Sequence, residues 1–238
     1  MFIPMKSNSG SKARTACMTA CAIARVAVLG FWSVCLLSSA AGAADIDVPR
    51  ILKGVEDRYN RTQTLQLSFT ESYQQGARTR VEKGDLFLRK PGRMLWQYST
   101  PAGKIFLLDG KYAWLYTKGD AQIQRVPAKE LDDLRSPLRF LLGHTQLEKE
   151  LSGLKLEGAA NGLYRLSGMP KGQENSVTRL ELTVTAAGAI SSLEVQEVDG
   201  ATTRFTFTGE QPDAAIPAEM FHFTPPAGVP VVDAMPPV

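Results

Sequence analysis

Side chains that could carry out chemistry are scarce in this 238-residue chain. His144 and His222 are far apart, and neither begins a zinc-binding spacing such as H-x-x-x-H. The acids at 132–133 and the pair Glu194 and Glu197 could in principle do glycosidase-type chemistry, but neither pair lies in a segment that would form a pocket. The chain also has no G-x-S-x-G nucleophile motif and no glycine-rich phosphate loop. We therefore expect no enzymatic activity, no cofactor and no metal site.

The first 43 residues have the pattern of a secretory signal. Residues 1–25 carry four basic and no acidic residues, the apolar run VAVLGFWSVCLLSSA follows over 26–40, and Ala-Gly-Ala supplies a cleavage site. An uncleaved membrane anchor is the alternative, because the run approaches the ~20 residues that span a bilayer. All three cysteines lie within 1–43, so the mature chain would have no disulfide and no thiolate. We predict that residues 44–238 form a single periplasmic domain.

Removal of the signal also changes the charge. Four of the 27 basic residues are lost, which leaves 23 against 24 acidic residues, a net charge of −1. Nucleic acid is therefore not an expected partner. The remaining basic residues concentrate between 76 and 111, either on a solvated sheet face or on a docking surface for an acidic partner or anionic lipid head groups.

The elements that must position these residues are mostly strands. Apolar residues at helical spacing predict an amphipathic helix over about Val48–Thr62, and alternating segments separated by PG, DG and KGD then predict antiparallel strands. Pro91 and Gly92 predict a tight turn between two of these strands. The alternation stops near Pro127. In the segment that follows, a second short helix is expected over 136–143. A sheet of about ten strands curls or closes, so one concave face must be filled by side chains, helices or a ligand.

Three segments carry a recognisable pattern: GDLFLRKPGRMLWQYSTPAGKIFLLDGKYAWLY (84–116), SPLRFLLG (136–143) and FHFTPPAGVPVVD (221–233). Together they resemble the LolA family of periplasmic lipoprotein carriers. The first has the spacing x-G-x-L-x-x-x-(R/K)-P…W…P…L-x-D-G…W-x-Y. The resemblance covers about Val48 to Asp233. It implies a mainly β (α+β) fold, an unclosed and strongly curved antiparallel β-barrel with short helices forming a lid over an apolar cavity.

The resemblance also implies roles for particular residues. The cavity is expected to be lined by Leu86, Leu88, Met94, Trp96, Phe106, Leu108 and Trp114. The underside of the lid is expected to consist of Leu138, Phe140, Leu141 and Leu142. The family often has an arginine before the hairpin proline that holds the lid, where this chain has Lys90 preceded by Arg89. Either the lysine serves with a looser lid, or Arg89 supplies the guanidinium, or the latch differs.

Membership of this family would imply a carrier that shields the acyl chains of lipoproteins on their way to the outer membrane. Its partners would be acylated lipoproteins, an inner-membrane lipoprotein-releasing ABC transporter and, where one exists, a LolB-like outer-membrane receptor; the carrier itself would be a monomer. A LolA-like lipid or glycolipid carrier and a lipoprotein-sensing envelope-stress regulator are alternatives of the same architecture. A lipid or glycan hydrolase and a purely structural envelope protein are alternatives of other classes.

Overall fold

The computed structural model describes residues 47–131 and 146–234. The predictions for residues 1–43 as a signal and for 136–143 as a helix, including Leu138, Phe140, Leu141 and Leu142, lie outside the described residues. So do His144 and the acids at 132–133.

The described part of the chain forms twelve strands, three α-helices and a 3₁₀ helix. The helices are α1 (Val48–Arg61), α2 (Ala128–Leu131), α3 (Leu147–Glu150) and the 3₁₀ helix Ala218–Phe221. The strands are β1 (Thr64–Gln75), β2 (Arg78–Arg89), β3 (Arg93–Thr100), β4 (Lys104–Leu108), β5 (Tyr112–Thr117), β6 (Ile123–Pro127), β7 (Leu151–Ala160), β8 (Leu163–Pro170), β9 (Val177–Thr185), β10 (Ile190–Glu197), β11 (Thr202–Pro212) and β12 (Val231–Asp233). Among these residues, no helix has the length and apolar content needed to cross a bilayer.

The strands form one curved sheet that is not closed. Their spatial order is β12-β6-β5-β4-β3-β2-β1-β11-β10-β9-β8-β7, and each neighbouring pair is antiparallel except the parallel pair β12–β6. The ring centroids of Trp96 on β3 and Phe205 on β11 are only 5.6 Å apart, although two strands lie between them. Since adjacent strands are about 4.8 Å apart, this contact requires strong curvature. The predicted mainly β, unclosed and curved antiparallel sheet is confirmed.

Gly84 on β2 allows the sheet to bend at this place. It is the cross-strand partner of both Phe69 on β1 and Tyr98 on β3. The rings of these two partners meet edge-on, with their centroids 5.1 Å apart. A Cβ on Gly84 would lie 2.1 Å from the carbonyl oxygen of Gln97. The glycine of the family-like motif therefore has a steric role.

Helix α1 lies on the concave face of the sheet. Asp47 caps its first turn by accepting a hydrogen bond from the backbone N–H of Arg50. Its apolar residues Leu52, Val55 and Tyr59 are at most 3% exposed and belong to the same cluster as the concave face. The predicted helix is confirmed to within one residue at its end.

The other face of β2–β6, here called the outer face, is covered by the C-terminal segment 214–231. This second apolar cluster has as its buried members Leu95, Leu107, Trp114, Ile123, Ile216 and Phe221. At its end β12 pairs with β6, and Arg125 bonds Asp233 at 2.8 Å. The sheet thus has two apolar layers, one on each side.

Candidate functional site

Six of the seven residues predicted to line a cavity form one continuous patch on the concave face. The register places Leu86 opposite Trp96 and Trp96 opposite Phe106, and it aligns Leu88, Met94 and Leu108 in the next row. The four residues of β2 and β3 in this patch are at most 4% exposed, whereas Phe106 and Leu108 are partly exposed. The structure therefore brings these predicted residues together against α1.

Trp114 is not part of this patch. It is the cross-strand partner of Leu107, and its ring lies in the second cluster, 5.3 Å from that of Phe223. Because side chains alternate along a strand, Trp114 must face away from the side to which Phe106 and Leu108 point. Its assignment to the cavity wall is corrected to the outer face.

The sequence prediction missed the other half of the concave face. It is formed by apolar residues of β1 and β8–β11: Leu65, Leu67, Phe69, Leu166, Leu180, Leu182, Val184, Leu193, Phe205 and Phe207. Trp96 connects the two halves, because its ring meets Phe69 edge-on at 4.5 Å and Phe205 at 5.6 Å. The alternation in VTRLELTVT was the signal that could have found these residues, but it does not show which strands share a face.

Helix α1 occupies part of this apolar surface. Three of its side chains, and Leu147 of α3, are buried among the residues of the sheet. Helices α1 and α3 are joined where the carboxylate of Glu56 accepts the backbone N–H of Leu147 at 2.7 Å. A hydrocarbon chain could use the space under α1 only by displacing these side chains.

The two predicted latch residues point in different directions. The ammonium of Lys90 donates hydrogen bonds to the carbonyl oxygens of Tyr59 at 2.6 Å and Asn60 at 3.0 Å, at the end of α1. Burial lowers the pKa of Lys90, and the negative charge of Asp213 opposes that effect. Of the two, Lys90 is the one that contacts the C-terminal end of α1.

Arg89 serves a different segment. Its guanidinium donates to the carbonyl oxygen of Ile216, in the segment that covers the outer face. Because side chains alternate along β2, Arg89 points away from the concave face that Leu88 lines.

A cluster of polar side chains lies on the concave side of the sheet, next to the aromatic residues. Glu71 and Glu82 are directly opposite each other on β1 and β2, and Lys104 lies 2.5 Å from the carboxylate of Glu82. Burial and then the negative charge of Glu82 raise the pKa of Glu71. Burial, together with the charge of Glu71, also raises the pKa of Tyr98, whose hydroxyl is 3.5 Å from Glu71.

The D-G and W elements of the family-like motif form the β4–β5 turn. The carboxylate of Asp109 accepts the backbone N–H groups of Lys111 and Tyr112, each at 2.7 Å, and the indole N–H of Trp114 at 2.8 Å. Burial alone would raise the pKa of Asp109, but these hydrogen bonds outweigh it and lower the pKa. The motif spacing therefore reflects a turn held by one carboxylate.

Of the reactive residues considered in the sequence, His222, Glu194 and Glu197 lie within the described part of the chain. Within 47–131 and 146–234, no three His, Cys, Asp or Glu side chains gather as a metal site would require. His222 is exposed, and the carboxylate of Glu194 forms an ion pair with Arg204.

Comparison with known proteins gave matches over most of the chain. A family model described as "Outer membrane lipoprotein carrier protein LolA" matches residues 60–224. A protein of Dechloromonas aromatica (strain RCB) named outer-membrane lipoprotein carrier protein is 28% identical over 182 residues, 75% of this chain and 85% of that protein. A protein of the same name from Chromobacterium violaceum is 27% identical over 200 residues, 83% of this chain and 96% of that protein.

A solved structure shares the fold. The crystal structure of an uncharacterized conserved protein from Thermus thermophilus superimposes with a TM-score of 0.50 at 14% identity, over 78% of this chain and 98% of that one.

Proposed function

Since the chain belongs to the LolA family of outer membrane lipoprotein carrier proteins, we propose that it carries acylated lipoproteins across the periplasm. The concave face would shield their acyl chains between release from the inner membrane and delivery to the outer membrane. Residues 1–43 would direct the chain there as a cleaved signal.

The observation that carries the proposal is the continuous apolar concave face. Six residues of β2–β4 and the apolar residues of β1 and β8–β11 join there into a single cluster. Each CH₂ group withheld from water is worth about 0.8 kcal/mol, so a long acyl chain needs a surface of this kind to cross an aqueous compartment. A carrier makes and breaks no bond, which agrees with a chain so poor in reactive residues.

In this proposal α1 fills the face when no cargo is bound. The segment 136–143, with Leu138, Phe140, Leu141 and Leu142, would form the rest of the lid. Cargo would bind by displacing these apolar groups, and their return would help to expel it. Lys90 would act as the latch, because it contacts the end of α1.

Cargo would come from an inner-membrane lipoprotein-releasing ABC transporter and pass to a LolB-like receptor where one exists. The carrier would work as a monomer.

Incubation of the protein with spheroplasts tests the proposal. Lipoproteins are expected in the soluble fraction, in complex with the protein. Phe106→Glu should abolish this release because it puts a charge on the concave face. The matched variant Ile105→Glu, which changes the neighbouring residue on the outer face, should retain it. Failure of the unmodified protein to solubilise lipoproteins, or equal loss in both variants, would contradict the carrier role.

A further inference from the structure

Glu210 on β11 holds α1 through two consecutive helix residues. Its carboxylate lies 2.6 Å from the guanidinium Nε of Arg58 and accepts the hydroxyl of Tyr59 at 2.9 Å. The hydroxyl of Tyr59 also accepts the backbone N–H of Ile190 at 2.9 Å. One carboxylate therefore links α1 to β11, and through Tyr59 to β10.

This link is well shielded from water. The side chain of Glu210 is 12% exposed, that of Arg58 is 27% exposed, and Tyr59 is 1% exposed. Burial, followed by the negative charge of Glu210, raises the pKa of Tyr59, so its hydroxyl remains a donor. Hydrogen bonds to a charged group in such surroundings are stronger than bonds between neutral groups.

The middle of α1 is also held in place by shape. Gly54 of α1 lies against Gly188 in the β9–β10 turn, where a Cβ on Gly188 would be 2.4 Å from the carbonyl oxygen of Gly54. This close approach and the Glu210 link meet the helix on one side, while Lys90 binds the carbonyl groups at its end. The last turns of α1 are thus bound by the carboxylate of Glu210 and by the ammonium of Lys90.

The apolar face of α1 covers the concave face of the sheet, and the polar anchors hold the helix there. Leu52, Val55 and Tyr59 cover sheet residues that an acyl chain would need to contact. Vacating that surface requires the anchors to break. Their strength therefore enters the balance between the helix-covered and the cargo-bound states.

We propose that Glu210 is a positioning residue of the carrier, which holds α1 on the concave face and so sets how tightly acyl cargo binds and how fast it leaves. This inference rests on the proposed carrier function. It makes a prediction that a merely structural residue does not, because loss of the anchor destabilises the fold yet favours the cargo-bound state.

The test compares binding of a fluorescent fatty acid, cis-parinaric acid, with stability against urea. Glu210→Ala should unfold at lower urea concentration but bind the probe about tenfold more tightly, and release it more slowly to phospholipid vesicles. Glu210→Gln should lie between, because its amide oxygen still accepts the Tyr59 hydroxyl. Faster amide exchange in α1 of the cargo-free variants should accompany both changes.

Ile123→Val provides the control, since this buried residue belongs to the cluster on the outer face. It should lower the stability without changing the affinity for the probe. The inference is overturned if the unmodified protein binds the probe and the Glu210 variants bind it equally or less tightly. If the unmodified protein binds no probe at all, the carrier function fails and the inference fails with it. Faster amide exchange in α1 of the Glu210 variants would then show only that Glu210 is a structural anchor.

Discussion

The side-chain nitrogen of Lys90 lies 2.6 Å from the carbonyl oxygen of Tyr59, in the last turn of α1. A second bond, to the carbonyl of Asn60, places the ammonium at the negative end of the helix dipole. A lysine thus contacts two carbonyl groups that a guanidinium could also bind as a fork. The charge of Lys90 and its hydrogen bonds to the two carbonyl oxygens together stabilise α1 in its place on the concave face by about 1–2 kcal/mol.

Replacing Lys90 with methionine should weaken the hold on α1. The helix would leave the concave face more readily, so we expect tighter retention of a fluorescent fatty acid and release to vesicles slowed several-fold. Lys90→Arg should keep the normal rate, because a guanidinium can donate to both carbonyls. Stopped-flow transfer measures these rates. Arg89→Met changes the neighbouring contact with Ile216 and serves as the control; an equal slowing there would argue against a specific latch.

The two tryptophans of the described chain should report different events. Trp96 lies within the concave cluster and Trp114 within the outer one, so a bound acyl chain would change the surroundings of Trp96 alone. We expect fatty acid binding to alter the emission of Trp114→Phe protein, whose Trp96 remains, and to leave that of Trp96→Phe protein almost unchanged. A response that survives in Trp96→Phe protein and disappears in Trp114→Phe protein would place the cargo on the wrong face.

Gly84→Ala should be strongly destabilising. The new methyl group would lie 2.1 Å from the carbonyl oxygen of Gln97, so β2 and β3 would have to separate where the sheet bends. We expect a loss of more than about 2 kcal/mol in the free energy of unfolding in urea, the range of severe steric substitutions. Gly158→Ala is the matched strand control, because its nearest neighbour would be 3.7 Å away, and it should change stability by no more than about 0.5 kcal/mol. Similar losses in both variants would remove the steric explanation.

Local patterns were sufficient to predict α1 and most of the strands of this fold. The helical spacing of Leu52, Val55 and Tyr59 located α1, and alternation with turn residues located the strands. These features depend on neighbours in sequence, and that is why the sequence revealed them. The assignment of Leu86 and Trp96 to the apolar cavity came instead from the resemblance to the LolA family.

Features that depend on register and tertiary contact were not predictable. Trp114 was assigned to the wrong face because a one-residue difference in register reverses the side to which a strand residue points. The choice between Lys90 and Arg89 required the same information. Nothing in the sequence near Glu210 indicates that it meets Arg58, about 150 residues away, since a bond across the sheet leaves no local pattern.

Glu71 should make the stability of the protein depend on pH. It is directly opposite Glu82 at the end of the aromatic cluster, and Lys104 bonds Glu82 rather than Glu71. Burial and the neighbouring carboxylate raise its pKa above the value in the unfolded chain. Between those two pKa values the folded protein binds more protons than the unfolded chain, so this residue makes stability fall as pH rises. At neutral pH Glu71 is therefore a cost to the folded state.

Glu71→Gln removes that cost and should raise the free energy of unfolding at pH 7. The gain should shrink as the pH falls through the raised pKa, and it should vanish below the ordinary glutamate value of about 4.3, where Glu71 is protonated in both the folded and the unfolded state. Urea unfolding of the unmodified protein and of Glu71→Gln at several pH values between about 4 and 7 gives the difference in the free energy of unfolding. Asp109 and other acids with lowered pKa contribute with the opposite sign, but they contribute equally to both proteins and cancel in the difference. Glu219→Gln, an exposed change in the 3₁₀ helix, should leave stability nearly unchanged. A constant gain from Glu71→Gln across the whole range would show that the carboxylate charge is not its cause.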